Sequence, residues 1–131
     1  MKATQARPRV TPYRLTAYEP SEAAVLAAIL SLLALDRRVA WFERMNSGAF
    51  AVGDGRARRF VKFGFKGCPD ILGQLKGGRL LAIEVKSRTG RLSSDQVAFL
   101  DKAVANGAVA GVARSVDDVQ ALMIHVKPEA P

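Results

Sequence analysis

A paired glycine between two short apolar runs, followed by a helix and a third such run, restricts the fold of this chain more than any other stretch. Residues 71–75 and 80–86 read as strands joined by the turn Lys76-Gly77-Gly78-Arg79, because adjacent glycines reach positive φ without steric cost. That makes an antiparallel pair. Ser93 or Ser94 opens a helix running to about Asn106, with Val97, Leu100 and Val104 on one face, and Gly107 is the expected stop. The apolar run 109–113 then closes a strand–helix–strand unit, which requires a parallel pair and a right-handed crossover. One sheet thus holds both senses of pairing. The fold class expected is α/β, a mixed β-sheet flanked by helices.

The rest of the chain is fitted around this unit. Pro20-Ser21-Glu22 opens a first helix, with Ser21 as N-cap and Glu22 suited to the positive end of its dipole. Val25, Leu26, Ile29, Leu30, Leu32 and Leu33 make so broad an apolar face that the helix is expected to be largely buried. Residues 39–42 read as a first strand, extending toward Met45, and Asn46-Ser47-Gly48 as a turn. Residues 49–67 are glycine-rich and basic, with Phe50, Phe60, Phe63 and Phe65 interleaved. They read as a long loop, or a loose hairpin around Gly53-Asp54-Gly55. Ser115-Val116-Asp117-Asp118 resembles a capping box for a short last helix. The order expected is α-β-β-β-α-β-α. Residues 1–19 are read as a basic tail carrying Lys2, Arg7, Arg9 and Arg14, and 20–131 as the domain.

Charge and cysteine content narrow the function. The 131 residues carry 20 Lys+Arg against 12 Asp+Glu, a net charge of +8. That excess favours a polyanionic partner, either nucleic acid or an anionic membrane surface. Cys68 is the only cysteine, so no intrachain disulfide forms, which fits a reducing compartment. No apolar run reaches the roughly 18 residues needed to span a bilayer. No membrane partner is expected, and the expected location is cytoplasmic.

The chemistry concentrates in Pro69-Asp70 and Glu84-Val85-Lys86, the pattern P-D-x13-E-x-K. Side chains alternate along a strand, so Leu80, Ala82, Glu84 and Lys86 share one face, and Leu81, Ile83 and Val85 the other, apolar one. The hairpin register decides whether Asp70 joins them. A two-residue Gly77-Gly78 loop would pair Ile71 with Glu84 and turn Asp70 away. A three-residue loop, or one bulge, pairs Asp70 with Glu84, and this is the register expected. Two opposed carboxylates repel unless a cation sits between them. Mg²⁺ suits such a site, since it takes oxygen ligands, keeps several waters and is held by one or two carboxylates. The Val85 carbonyl offers another oxygen. The ion would polarise a scissile phosphate and lower the pKa of a bound water. Lys86 would orient that water or offset charge developing on the phosphorane oxygens.

Three other residues each carry two readings. Glu22 is an ordinary first-turn acid, or a third carboxylate reaching the metal through water. Gln96 completes a capping box in Ser93-Ser94-Asp95-Gln96, or points into the same cleft. Asn46 is a turn residue, or a polar group oriented at the site. Arg56, Arg58, Arg59, Lys62 and Lys66 are the candidate DNA contacts. Cys68 has no plausible catalytic base, His125 is the lone histidine, and good zinc ligands are lacking.

The string formed by Glu22, Arg44-Met45-Asn46-Ser47-Gly48, Gly64-Phe65-Lys66-Gly67-Cys68-Pro69-Asp70-Ile71-Leu72-Gly73, Ile83-Glu84-Val85-Lys86, Gly90-Arg91-Leu92-Ser93 and Gln96 resembles a known family. It is similar to the virus-type replication-repair nuclease (VRR-NUC) domain of the PD-(D/E)XK superfamily, in its small stand-alone phage form. The resemblance covers roughly residues 21–119 and leaves out the basic tail. It implies an α-β-β-β-α-β restriction-endonuclease-like core and Mg²⁺- or Mn²⁺-dependent cleavage. Asp70 and Glu84 would be ligands, Lys86 the catalytic lysine, and Glu22 and Gln96 supporting residues. It also implies a homodimeric endonuclease selective for branched DNA such as Holliday junctions. A dimer would supply two cuts related by a two-fold axis. Two other functions compete: a module that grips nucleic acid without cutting, and a restriction-type nuclease that reads base sequence.

Overall fold

The computed structural model of the chain describes residues 18–45, 49–62 and 64–128, with the backbone alone at 49, 50, 61 and 62. The first helix, α1, spans Glu22–Leu35. Ser21 caps it by accepting the Ala24 N–H at 3.2 Å. The expectation of a largely buried helix is corrected. Val25, Ile29 and Leu33 are fully buried, while Leu26, Leu30 and Leu32 are partly so and Leu35 is exposed. The outer face is alanine with Ser31. Alanine leaves little apolar area in water, so one buried stripe suffices for a helix this apolar in composition.

Six strands follow: β1 (Val39–Arg44), β2 (Ala49–Val52), β3 (Arg59–Lys62), β4 (Ile71–Leu75), β5 (Leu80–Val85) and β6 (Val109–Ala113). Two further helices are α2 (Ser94–Ala105) and α3 (Val116–Leu122). The four-stranded sheet has the order β1-β4-β5-β6, with β6 parallel to β5 and the other pairs antiparallel. The mixed sheet is therefore the one required by the glycine turn and the crossover helix. The expected order lacked two strands. Residues 49–62 take the hairpin alternative, β2 and β3 pairing across a short 3-10 turn at Gly55–Ala57. Among the described residues, this hairpin makes no extended contact with any other element.

The β4–β5 register is the one that matters. Ile71 lies opposite Ile83, Leu72 opposite Ala82 and Gly73 opposite Leu81. The Leu75 N–H donates to the Arg79 carbonyl at 2.8 Å, leaving the three residues 76–78 in the loop. Gly77 and Gly78 adopt φ of 98° and 104°, which a side chain would oppose. This is the three-residue loop, and Asp70 falls opposite Glu84 when the register is extended by one residue.

Strand β5 lies between two apolar layers. Leu81, Ile83 and Val85 pack with Val25, Ile29 and Leu33 of α1 and with Val119 and Met123. Ala82 faces the other way, against Leu100 and Ala103 of α2. The expected α2 face is corrected accordingly. Leu100 is buried, but Val97 and Val104 are 44% and 54% exposed, and Phe99 and Ala103 take their place. The reason is the small side chains opposite, Ala82, Ala108 and Ala110. They let α2 approach closely along its alanine side and turn its valines outward.

Candidate active site

The C-terminal end of β5 carries a buried acid inside an otherwise apolar strand. Glu84 is only 3% exposed, although its neighbours Ile83 and Val85 belong to the core. An isolated buried carboxylate is expensive and is kept only with partners. The partners are specific. Gln96 Nε2 donates to Glu84 Oε1 at 2.9 Å. Lys86 Nζ lies 3.4 Å from the same oxygen, its own side chain 16% exposed. The second oxygen, Oε2, is buried without any hydrogen-bond partner.

Asp70 enters from the neighbouring strand. Its Oδ2 accepts the Val85 N–H at 2.8 Å, so the Asp70 carboxylate sits at the backbone that joins Glu84 to Lys86. The Met45 N–H donates to the Asp70 carbonyl at 2.7 Å, tying the residue to the end of β1. The segment before it is pinned to α2. Phe65 packs on Phe99 with ring centroids 4.9 Å apart, and the Cys68 N–H donates to the Phe65 carbonyl at 2.9 Å. Gly67 has φ of +78°, and a Cβ there would run into the Asp95 carbonyl in the first turn of α2. Glycine is thus required by both conformation and space.

The electrostatics follow from this crowding. Burial, first, and then the negative charge of Asp70 push the Glu84 carboxyl from 4.5 up to about 7, against the opposing pull of Lys86. Burial likewise pushes the Cys68 thiol up, which fits its exclusion as a nucleophile.

Of the expected site residues, the fold brings Asp70, Glu84, Val85, Lys86 and Gln96 together. Gln96 satisfies both of its readings at once. Its side-chain oxygen accepts the Ser93 N–H at 2.8 Å while Ser93 Oγ accepts the Gln96 N–H, a complete capping box, and its amide nitrogen reaches Glu84. Glu22 is exposed in the first turn of α1. Glu19 pairs with Arg88 at 3.4 Å, which draws the start of α1 toward the loop after β5. Among the described residues, Glu22 does not join the two carboxylates in a three-acid cluster. Arg56, Arg58 and Arg59 are exposed on the β2–β3 hairpin, with the Arg58 guanidinium 5.7 Å from the centroid of Phe60. Lys66 is exposed and 3.7 Å from Asp95. Asn46 and the Lys62 side chain lie outside the described residues. The sequence reading passed over Arg114, which bonds the loop after Lys86; a lone arginine after a strand carries no signal of such a role.

An unpartnered buried oxygen on Glu84 and an acid one strand away fit a hard divalent cation, while burial pushes the neighbouring Cys68 thiol up and away from the thiolate a softer metal would need. Compared with known families, residues 11–117 match the VRR-NUC domain. The chain belongs to the VRR-NUC family. This is a nuclease family, and the match takes in most of the chain, including residues 11–19 of the segment read as an uncovered tail. The mixed α/β sheet with its flanking helices is consistent with a VRR-NUC nuclease core. No curated protein and no solved structure matches the chain. Among the described residues, no helix is long and apolar enough to cross a membrane.

Proposed function

We propose that this chain is a divalent-metal-dependent endonuclease that hydrolyses phosphodiester bonds in branched DNA, acting as a homodimer. The observation that carries the reading is the convergence of Asp70, Glu84 and Lys86 at the end of β5, where Lys86 and Gln96 hold Glu84 Oε1 and Oε2 is buried without a hydrogen-bond partner. Asp70 and Glu84 would hold Mg²⁺ or Mn²⁺, with the Val85 carbonyl as a further oxygen. When bound, the ion supplies charge that polarises the phosphate and acidifies a water.

The chain's own residues do the rest. Gln96 fixes the Glu84 carboxylate by one oxygen and leaves the other free to bind. Lys86 holds an ammonium beside that carboxylate, where it can donate to an attacking water or to a phosphate oxygen. Hydrolysis joins the water oxygen to phosphorus and breaks one P–O ester bond, and the leaving oxygen takes up a proton from solvent. The net charge of +8 and the exposed Arg56, Arg58 and Arg59 favour the DNA backbone. Phe60, 68% exposed among these arginines, offers a face on which an unpaired base can stack.

The test is cleavage of an end-labelled four-way junction against a duplex of matched sequence, in Mg²⁺ and in EDTA, with the oligomeric state read by light scattering. The expected result is metal-dependent cutting of the junction by a dimer, lost in Asp70→Ala with DNA binding largely kept. Binding without cutting by the parent protein would assign a non-cleaving module. Equal cutting of the duplex at one base sequence would assign a sequence-reading nuclease.

A further inference from the structure

The catalytic lysine of the proposed site is followed by a loop that is held from a different strand. Arg114 lies just past β6, half-buried. Its Nη1 donates to the carbonyls of Ser87 and Gly90, each at 2.6 Å, with the Arg88 carbonyl at 3.3 Å. The Arg114 backbone is itself tied, its N–H donating to Asp118 Oδ2 at 2.8 Å at the start of α3. Charge-assisted bonds from one planar guanidinium to two carbonyls fix the loop more firmly than two neutral bonds would.

That loop runs beside the lysine. A Cβ built on Gly90 would lie 3.4 Å from Lys86 Cδ and 3.5 Å from Lys86 Cβ. Gly90 therefore lies alongside the Lys86 stem with little more than a methyl's width between them, its N–H on the Ser87 carbonyl at 3.2 Å. The Lys86 N–H is bound to the Ala113 carbonyl at 3.1 Å, so its backbone is secured independently of Arg114. Only its long side chain depends on the loop for direction. We infer that Arg114 is a positioning residue: by holding the 87–90 loop closed against Lys86, it keeps the ammonium beside Glu84 and aimed at the scissile phosphate. This rests on the nuclease reading above.

The experiment is steady-state cleavage by the full chain, comparing the parent with Arg114→Ala, Arg114→Lys and Gly90→Ala, with thermal melting of each. Arg114→Ala is expected to lower kcat on the order of tenfold or more, the scale of losing a group that orients a ligand or catalytic side chain, with KM within about twofold. Arg114→Lys, which can still donate to both carbonyls, restores most of the rate. Gly90→Ala presses on Ser87 Oγ within the same loop while keeping the carbonyl that Arg114 binds, and is expected to lower kcat, by less than Arg114→Ala does, with KM unchanged. The inference is overturned if Arg114→Ala keeps the parental kcat. It is also overturned if KM rises at constant kcat, which would make Arg114 a DNA contact. A loss of rate that tracks loss of folded protein, unrescued by lysine and unmatched by Gly90→Ala, would reduce it to a stability role. Failure of the parent itself to cut any DNA with metal would instead remove the nuclease reading.

Discussion

Replacing Glu84 by glutamine is expected to stabilise the metal-free protein at alkaline pH while destroying its activity. The carboxyl is pushed from 4.5 to about 7 by burial and by Asp70. The stability tied to its protonated form is therefore fully present below 4.5 and is lost as pH rises through about 7. One pKa unit corresponds to about 1.4 kcal/mol, so the ionised acid costs on the order of 3 kcal/mol at pH 8. The sharing of charge with Asp70 reduces this to about 2 kcal/mol. Glu84→Gln is neutral at every pH and keeps an oxygen for Gln96. For a chain of this size the gain amounts to roughly 8 °C in Tm at pH 8 in EDTA. At pH 5, where the parental carboxyl is protonated, the two proteins should melt together. The assay is a thermal melt of both across pH 5–8, with EDTA and with Mg²⁺. Excess Mg²⁺ should raise the parent at pH 8 and leave Glu84→Gln nearly unmoved. Equal melting of both proteins at every pH would show that Glu84 is not a strained acid, and the cation-site argument would fall with it.

Other expectations follow from the same geometry. Metal binding at pH 6 should release close to one proton, seen by calorimetry in buffers of different ionisation enthalpy, and affinity should rise as pH passes about 7. Gln96→Ala leaves Glu84 Oε1 to Lys86 alone and should weaken metal affinity on the order of tenfold or more, measured by titration. Gly67→Ala forces a strained φ and a clash with the Asp95 carbonyl, and should cost about 2 kcal/mol or more by denaturant unfolding. Replacing Arg56, Arg58 and Arg59 together by alanine should reduce the slope of log binding constant against log salt by about 3 for duplex DNA, and less if some of them make no phosphate contact.

Much of the site was legible because its determinants are local. The turn Lys76-Gly77-Gly78-Arg79 fixed an antiparallel pair but left two loop lengths open, and the structure takes the three-residue one that sets Asp70 opposite Glu84. The errors arose where a partner surface decides. In α2, Val97 and Val104 have the hydrophobicity of core residues, but Ala103 packs inward because Ala82 and Ala110 lie opposite. In α1, leucine content alone gave no measure of how many sides the sheet would cover. Residues 49–62 kept a loop reading open because both strands are short and none of their described side chains, at 51, 52, 59 and 60, is buried to impose alternation. Arg114 was invisible for a related reason, since its acceptors are carbonyls, which every residue has and no sequence marks.

The glutamine at the head of α2 narrows what evolution can write at position 96. Glutamate would still complete the helix start, yet it would set a second negative charge against an acid that is already hard to ionise. Asparagine is one methylene too short to serve both ends, and leucine would leave two polar groups stranded. A single amide joins the beginning of a helix to the reactive end of a strand, so loosening either one disturbs the other. Drift at this position should be rarer than its half-exposed place on the surface would suggest.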